Sequence, residues 1–342
     1  MHHNSTSSDV ALAHRVRACD YLVVAQLFLQ SNFLLERPLT FDDVKPRLLG
    51  HWGTCHGINV VYANLHAHYQ NNHNFSFILG PGHGYPALQA NLYIDGELVK
   101  VDSRATLDEQ GINYICHNFS WPYGFPSHSS PITPGVICEG GELGYALGAS
   151  YGYALGHPER TVAVLIGDGE FETATTLGSL NLNHVLTNPA NGHVLPILHL
   201  NGYKISGPTL AARKSERELN QLLRGFGYTP IHIWHNHDFS SALRKVDEIF
   251  SNRAKYFSTS ERDNPDRHRL YLPLPPFLIY HGEKGAGGPA FVDGQKVAGN
   301  YLSHQIPLKN AKTDPAQLKL LSDWLASYHF SELFNTEKGF TL

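Results

Sequence analysis

Two short stretches of this sequence place oxygen ligands at the ends of apolar runs. Thr161 to Ile166 ends in Gly167-Asp168-Gly169-Glu170, and Val194 to Leu200 ends in Asn201-Gly202-Tyr203. A hard divalent cation takes oxygen ligands, and a carboxylate and an amide oxygen at neighbouring strand ends supply two of them. Parallel strands joined by a helical crossover have their carboxyl ends side by side, and the 33 residues from Asp168 to Asn201 fit one β-α-β unit. Gly167 and Gly169 let the main chain approach a ligand where a Cβ would intrude. Gly-Asp-Gly alone is a common turn; the second apolar run ending in Asn at this interval makes it read as a cation-bridged diphosphate site.

The chain has 22 histidines, and most must be incidental. Four stand out by position. His51 follows Gly50 and precedes Trp52-Gly53, His83 lies between glycines, His128 sits in a Pro/Ser-rich loop, and His304 sits in a late loop. Imidazole titrates near working pH and suits proton transfer. His199, His117 and the pair His66 and His68 are read as structural, because their spacing forms no closed zinc site and no cysteine pair accompanies them.

Strand-like and helix-like runs alternate along the chain and must position these residues. Asp9 to Gln30 reads as a helix, Phe75 to Leu79 as a strand ending in a Gly-rich loop, and Glu142 to Leu155 as a Gly/Ala-rich helix. After the strand before Asp168 come a polar helix, the strand before Asn201, a helix near Ser215 to Leu223, a strand at Pro230 to Trp234 and a helix at Ser240 to Ser251. Arg253 to Pro276, charged and then Pro-rich, reads as a surface excursion before a last core strand at Phe277 to His281; Pro315 to Tyr328 reads as the closing helix. The alternation predicts an α/β fold, a parallel sheet with helices on both faces. At 342 residues, 42% hydrophobic and 16% charged, the chain can bury a large core. A net charge of -4 gives no reason to expect nucleic acid or an anionic membrane. Cys19, Cys55, Cys116 and Cys138 show no CxxC spacing and follow no secretory signal, so a reducing, cytoplasmic setting is expected. No apolar run reaches membrane-spanning length, and the polar opening Met1 to Ser8 is expected to fray.

Seven blocks narrow the reading. Gly50-His51-Trp52-Gly53-Thr54, Gly80-Pro81-Gly82-His83-Gly84, Pro126-Ser127-His128, Glu139-Gly140-Gly141-Glu142-Leu143-Gly144-Tyr145, Gly167-Asp168-Gly169-Glu170, Leu198-His199-Leu200-Asn201-Gly202-Tyr203-Lys204 and Ser303-His304-Gln305 resemble phosphoketolase motifs, in the family's order. The resemblance runs from about Tyr21 to Phe334, leaving 1–20 as an extension with the first helix and 335–342 as a tail. It implies the thiamine diphosphate-binding fold, in its diphosphate-binding half. It implies thiamine diphosphate and Mg²⁺ as cofactors. Asp168, the Asn201 side chain and the Tyr203 carbonyl would then be metal ligands; His83, Gly141, Glu142, Leu143, Gly167, Gly169, Glu170 and Lys204 would join Asp168 and Asn201 around the cofactor. By the same resemblance Gly141-Glu142-Leu143 opens a helix beneath the cofactor, with Leu143 supporting its bent shape, Glu170 and Lys204 orient the metal's shell, and His51, His83, His128 and His304 line the thiamine pocket and move protons.

Departures from the family pattern fall on the substrate side. Where phosphoketolases carry a Lys after a late Gly-Pro, this chain has Ala290; Lys284, six residues earlier, matches a different family lysine and is by position a poor substitute. Thr54-Cys55-His56-Gly57 replaces the family's Thr-Pro-Gly, and Thr173-Ala174-Thr175-Thr176 replaces a Gly/Pro-rich segment. Cofactor binding is expected intact and substrate handling altered. In the family a glutamate of the pyrimidine domain meets the aminopyrimidine, and no segment here plays that part. The expectation is a carbon–carbon lyase subunit, cleaving a ketose phosphate to acetyl phosphate and an aldose phosphate or making a related ketol transfer, in a hetero-oligomer with a pyrimidine-domain partner chain. A fragment of a longer enzyme, or a non-catalytic binding or regulatory protein keeping the fold, are the alternatives.

Overall fold

Five apolar strands pair side by side, all in parallel, in the computed structural model, which describes residues 7–70, 75–133, 136–185, 188–260, 273–337 and 339–342. They are β1 (Phe75–Leu79), β2 (Thr161–Gly167), β3 (His193–Leu200), β4 (Thr229–Ile233) and β5 (Pro276–His281), in the order β1-β2-β3-β5-β4. Parallel strands need crossovers, and the helices that supply them cover both faces, as the alternating sequence implies. Successive side chains point to opposite faces, and the core divides accordingly. Ala163, Leu165, Leu195 and Ile197 join one hydrophobic cluster, while Val162, Val164, Ile166 and Leu198 join another.

The first cluster is built with α1 (Ser7–Phe28), α2 (Cys55–Tyr69), α3 (Tyr85–Ile94) and α4 (Glu109–Asn118). The second takes α5 (Ala146–Gly156). The polar helix expected after β2 is three short ones, α6 (Asp168–Phe171), α7 (Ala174–Ser179) and α8 (Leu182–Val185). Next come α9 (Glu216–Gly225), whose capping box pairs Ser215 with Glu218, α10 (Asp238–Ser260), and α11 (Pro315–Ala326), capped by Asp314 with Pro315 in its first turn. α9 packs in the second cluster, and α10 and α11 in the first. α10 is longer than expected and takes up the start of the excursion predicted for Arg253 to Pro276; 261–272 lie outside the described residues, as do 1–6 of the polar opening. α1 runs unbroken through residue 20, and Phe340 in the tail meets the rings of Tyr93, Phe330 and Phe334. Among the described residues no helix is long and apolar enough to cross a membrane.

One expected boundary is corrected. α5 begins at Ala146, not Glu142, because Gly144 sits at φ +107, left-handed backbone that a helix cannot include. The Gly140–Tyr145 stretch is therefore a loop, and its Gly144 N–H donates to Glu170 Oε1 at 3.1 Å.

A buried ammonium joins the helix ends of the first layer. Lys45, 2% exposed, donates to the carbonyls of Gln26 (2.7 Å), Cys116 (2.7 Å) and Phe119 (2.9 Å), near the C-terminal ends of α1 and α4. Carbonyls at helix C-termini lack intrahelical partners, and a cation satisfies them. Lys45→Met keeps the stem but strands three buried acceptors. A loss of about 2 to 4 kcal/mol in urea unfolding is expected; an unchanged midpoint at unchanged slope would remove the clamp from the account.

Candidate functional site

The strand register brings the predicted ligands to one edge. Gly167 pairs with His199 and Leu200 with His281, so the chain leaves β2 into Asp168 and β3 into Asn201 at the same carboxyl edge, where open α/β sheets hold their ligands. Asp168 is 2% exposed. Its Oδ1 accepts from Gly169 N–H at 3.0 Å, and its Oδ2 from Gly202 N–H at 2.7 Å and Thr209 Oγ1 at 3.3 Å. Burial pushes this carboxyl up to about 6, against the pull of those bonds and of the Lys284 charge. Asn201 Oδ1 accepts from Tyr203 N–H at 3.2 Å, and the Tyr203 carbonyl accepts from Lys284 Nζ at 2.7 Å.

These residues surround a cavity of about 290 Å³. Asp168, Asn201, Tyr203, Gly167, Gly169, Glu170 and Lys204 line it together with His83, His304 and Leu143, whereas His51 and His128 do not. Gly141 and Glu142 do not line it. They are exposed, and the expectation that Gly141-Glu142-Leu143 opens a helix is overturned by the loop that Gly144 imposes. Glu170, 2% exposed, is bound by main chain: Oε1 takes Gly144 N–H and Oε2 takes Gly167 N–H at 3.3 Å, while burial raises it to about 7. A Cβ on Gly80 would fall 2.2 Å from Glu170 Oε2, so the end of β1 needs glycine there. The Lys204 ammonium points away to Glu172 Oε2 (2.5 Å), and Glu172 also accepts from Leu210 N–H.

The four singled-out histidines meet. His51 stands 5.0 Å from His83, 5.2 Å from His128 and 5.1 Å from His304, centroid to centroid, and His83 is 4.8 Å from His304. Burial lowers all four, helped by Lys284 and neighbouring imidazoles for His51, His83 and His304 and opposed by Glu139 for His128. His51 is pushed down to about 4 and His304 to about 3, His83 lies well below the ordinary value, and His128 is lowered. Nδ1 of His51 and Nδ1 of His304 are buried without a partner. His199 stays structural: its Nδ1 meets Thr54 Oγ1 at 3.1 Å, and a Cβ on Gly57 would lie 2.1 Å from its Nε2.

Sequence reasoning undervalued Lys284. It lies 2% exposed in the cavity just beyond β5, its pKa lowered to about 8 by burial. Its signal is topological, since β5 lies next to β3 and only the strand order reveals it. Thr54, inside a quoted motif but not singled out, was also missed, as were Thr209 and Glu172, which lie outside the motifs. Among the described residues no three His, Cys, Asp or Glu side chains are grouped to hold a metal by themselves. Asp168 with amide and carbonyl oxygens is instead a donor set for a hard ion that shares its shell with phosphate oxygens. A larger recess of about 520 Å³ along the edge strand β1 contains none of the predicted residues.

Known proteins agree with this geometry. The model of the XFP N-terminal domain matches residues 5–341. A probable phosphoketolase of Pseudomonas putida is 44% identical over 324 residues, covering 94% of this chain and 41% of the relative. That of Bradyrhizobium diazoefficiens is 41% identical over 335 residues, covering 97% and 42%. The chain thus spans about two fifths of the length of these relatives. A transketolase from Pichia stipitis, solved with sedoheptulose 7-phosphate, superposes with a TM-score of 0.60 at 16% identity over 96% of this chain and 45% of its own. Transketolase from Campylobacter jejuni gives 0.57 at 15% identity, over 96% and 49%. A five-stranded parallel sheet with this edge of ligands is the thiamine diphosphate-binding α/β fold, and the chain belongs to the phosphoketolase N-terminal domain family.

Proposed function

We propose that this chain is the diphosphate- and cation-binding half of a thiamine diphosphate-dependent carbon–carbon lyase of the phosphoketolase type. The observation that carries the reading is the meeting of Asp168, the Asn201 amide and the Tyr203 carbonyl at one sheet edge, with His83 and His304 lining the same cavity and His51 packed against both. The donor set fits Mg²⁺, which prefers one or two carboxylates with phosphate oxygens over an all-protein cage. Asp168, Asn201 and Tyr203 would hold the ion, Gly167 and Gly169 would let the diphosphate approach main chain, and Leu143 would support the rings. When bound, thiamine diphosphate supplies a carbon nucleophile for a ketose carbonyl.

The chain's own residues supply binding and proton handling. Burial keeps the imidazoles neutral, and of the two bare Nδ1 atoms, on His51 and His304, the one on His304, a residue that lines the cavity, could hydrogen-bond a hydroxyl of a sugar phosphate. Cleavage of a ketose phosphate to acetyl phosphate and an aldose phosphate, or a related ketol transfer, fits these groups. Ala290, where the family carries Lys, is exposed and lacks an amine, which supports an altered handling of substrate. We further propose that the ring-binding half of the site comes from a pyrimidine-domain chain in a hetero-oligomer. The cysteines Cys19, Cys55, Cys116 and Cys138 are free thiols and suit the cytoplasm. The non-catalytic alternative would relax the ligand oxygens, and all three are in place.

Replacing Asp168 by Ala deletes the anionic ligand. Calorimetric titration of thiamine diphosphate with Mg²⁺ into the assembled complex is expected to show at least 10-fold weaker binding, about 1.4 kcal/mol; equal affinities would sink the metal assignment. The 342-residue chain alone is expected to form no acetyl phosphate from sugar phosphates. Turnover at ordinary enzyme rates would overturn the partner requirement.

The histidine cluster also sets an acid limit. His51 at about 4 and His304 at about 3 lie below the ordinary 6.5, so below pH 6.5 the unfolded chain binds more protons than the folded one. Stability that is complete above pH 6.5 is therefore lost as pH falls toward 4, at up to about 1.4 kcal/mol per pH unit for each imidazole. Urea titrations at several pH values should show a shallower decline for the His51→Gln, His304→Gln double variant. Parallel curves would mean that these rings are charged in the fold.

A further inference from the structure

The Tyr203 carbonyl, proposed above as a cation ligand, accepts a hydrogen bond from Lys284 Nζ at 2.7 Å. An ammonium on this oxygen and a divalent ion on the same oxygen would stand only about 4 Å apart, at which distance two cations repel strongly in a water-poor site. The backbone beneath Lys284 is fixed. Gly285 N–H donates to Gly53 O at 2.8 Å, Gly299 N–H donates to the Lys284 carbonyl at 2.8 Å, and Trp52 Nε1 donates to Gly285 O at 3.3 Å. The stem runs past Gly53, where a Cβ would come within 3.1 Å of Lys284 Cε. Any displacement is thus confined to the end of a side chain that is 2% exposed and lines the cavity.

We propose that Lys284 and a divalent cation are alternative occupants of the Tyr203 carbonyl, so that the ion enters as the ammonium turns to an anionic group in the same cavity. The inference rests on the diphosphate-site reading and adds an order to it. A displaced, buried ammonium needs an anion, and Asp168 is committed to the ion, so a diphosphate is the class of ligand that completes the exchange. Cation alone binds weakly; cation and diphosphate each improve the binding of the other, as reciprocal coupling requires.

The test uses Mn²⁺ as the cation, without thiamine diphosphate, titrated into the full chain and followed by the electron paramagnetic resonance of the free ion. Lys284→Met should bind Mn²⁺ at least 10-fold more tightly than wild type, Lys284→Arg should stay within about twofold of wild type, and Asp168→Ala should lose binding. If Lys284→Met does not fold, Lys284→Gln replaces it, since a neutral amide still reaches Tyr203 without repelling the ion. Unchanged Mn²⁺ affinity in the neutral variant, with Asp168→Ala weakened, overturns the exchange and leaves the metal site standing. Wild-type affinity in Asp168→Ala overturns the metal reading and the exchange with it.

Discussion

A carboxylate taken almost fully out of water has to be compensated where it stands, and for Asp168 the compensation comes from main chain. Gly169 N–H and Gly202 N–H both point at it, the first from its own turn and the second from the loop after β3. The second bond ties the ends of two adjacent strands, so it fixes the spacing of Asp168 and Asn201 as firmly as the β2–β3 ladder does. It is a charge-assisted bond in a low-dielectric setting, among the stronger hydrogen bonds a protein makes. Glu170 repeats the device one turn on, joining the Gly144 loop to the end of β2. The cavity is thus drawn together by two buried acids that bind peptide N–H groups, and each N–H lies on a glycine. A side chain at Gly144 would meet Thr175 and Thr173 oxygens at 2.2 and 2.3 Å.

How much of this was legible follows from how each element is buried. The strands were read within a residue or two because central parallel strands are continuous apolar runs closed by turn residues. α2 and α3 gave no such signal. From Cys55 to Leu65 only His56 escapes full burial, and Tyr85 to Asn91 are all buried, so neither helix has a polar face to mark its period. The start of α5 was misplaced for a related reason, since Gly/Ala-rich sequence looks helical until Gly144 takes positive φ. The placement of candidate residues was legible where a motif sits at a strand end, as in Asp168, Asn201 and His83, whereas His51, His128 and His304 lie in loops and stood out by motif alone. Lys284 was undervalued because its place depends on β5 inserting between β3 and β4, a choice that local sequence does not reveal.

The histidines show a second constraint, dense packing around neutral rings. His199 fits only because Gly57 and Gly282 flank it; a Cβ on either would approach its Nε2 to 2.1 or 2.7 Å. In holding Thr54 through Nδ1, it supports a residue that lines the cavity without facing it itself. His51, by contrast, is ringed by three other imidazoles, none of which can be charged without raising the cost of charging the next. Neither His51 nor His199 lines the cavity itself; of the four clustered histidines, His83 and His304 do.

The departures from the family pattern fit the same division of labour. Around Asp168 and Glu170 the contacts are mainly main-chain N–H groups, which most substitutions leave unchanged. Side chains hold the loop that carries Lys284 and Ala290. Trp324 Nε1 and Tyr328 Oη both donate to the Gly287 carbonyl at 2.8 Å, from α11 and the residues just after it. His56, in the Thr54–Gly57 segment that replaces the family's Thr-Pro-Gly, meets Asp20 of α1 at 2.7 Å, and Asn59 binds the other oxygen of that carboxylate at 2.7 Å. Burial lowers the His56 pKa, but the Asp20 charge and hydrogen bond outweigh it and leave the imidazole raised. A proline would rigidify the first turn of α2 by its fixed φ; the ion pair anchors the same turn to α1 instead. Side-chain contacts thus anchor α2 and the Lys284 loop, while main-chain N–H groups hold Asp168 and Glu170 as the sheet sets them.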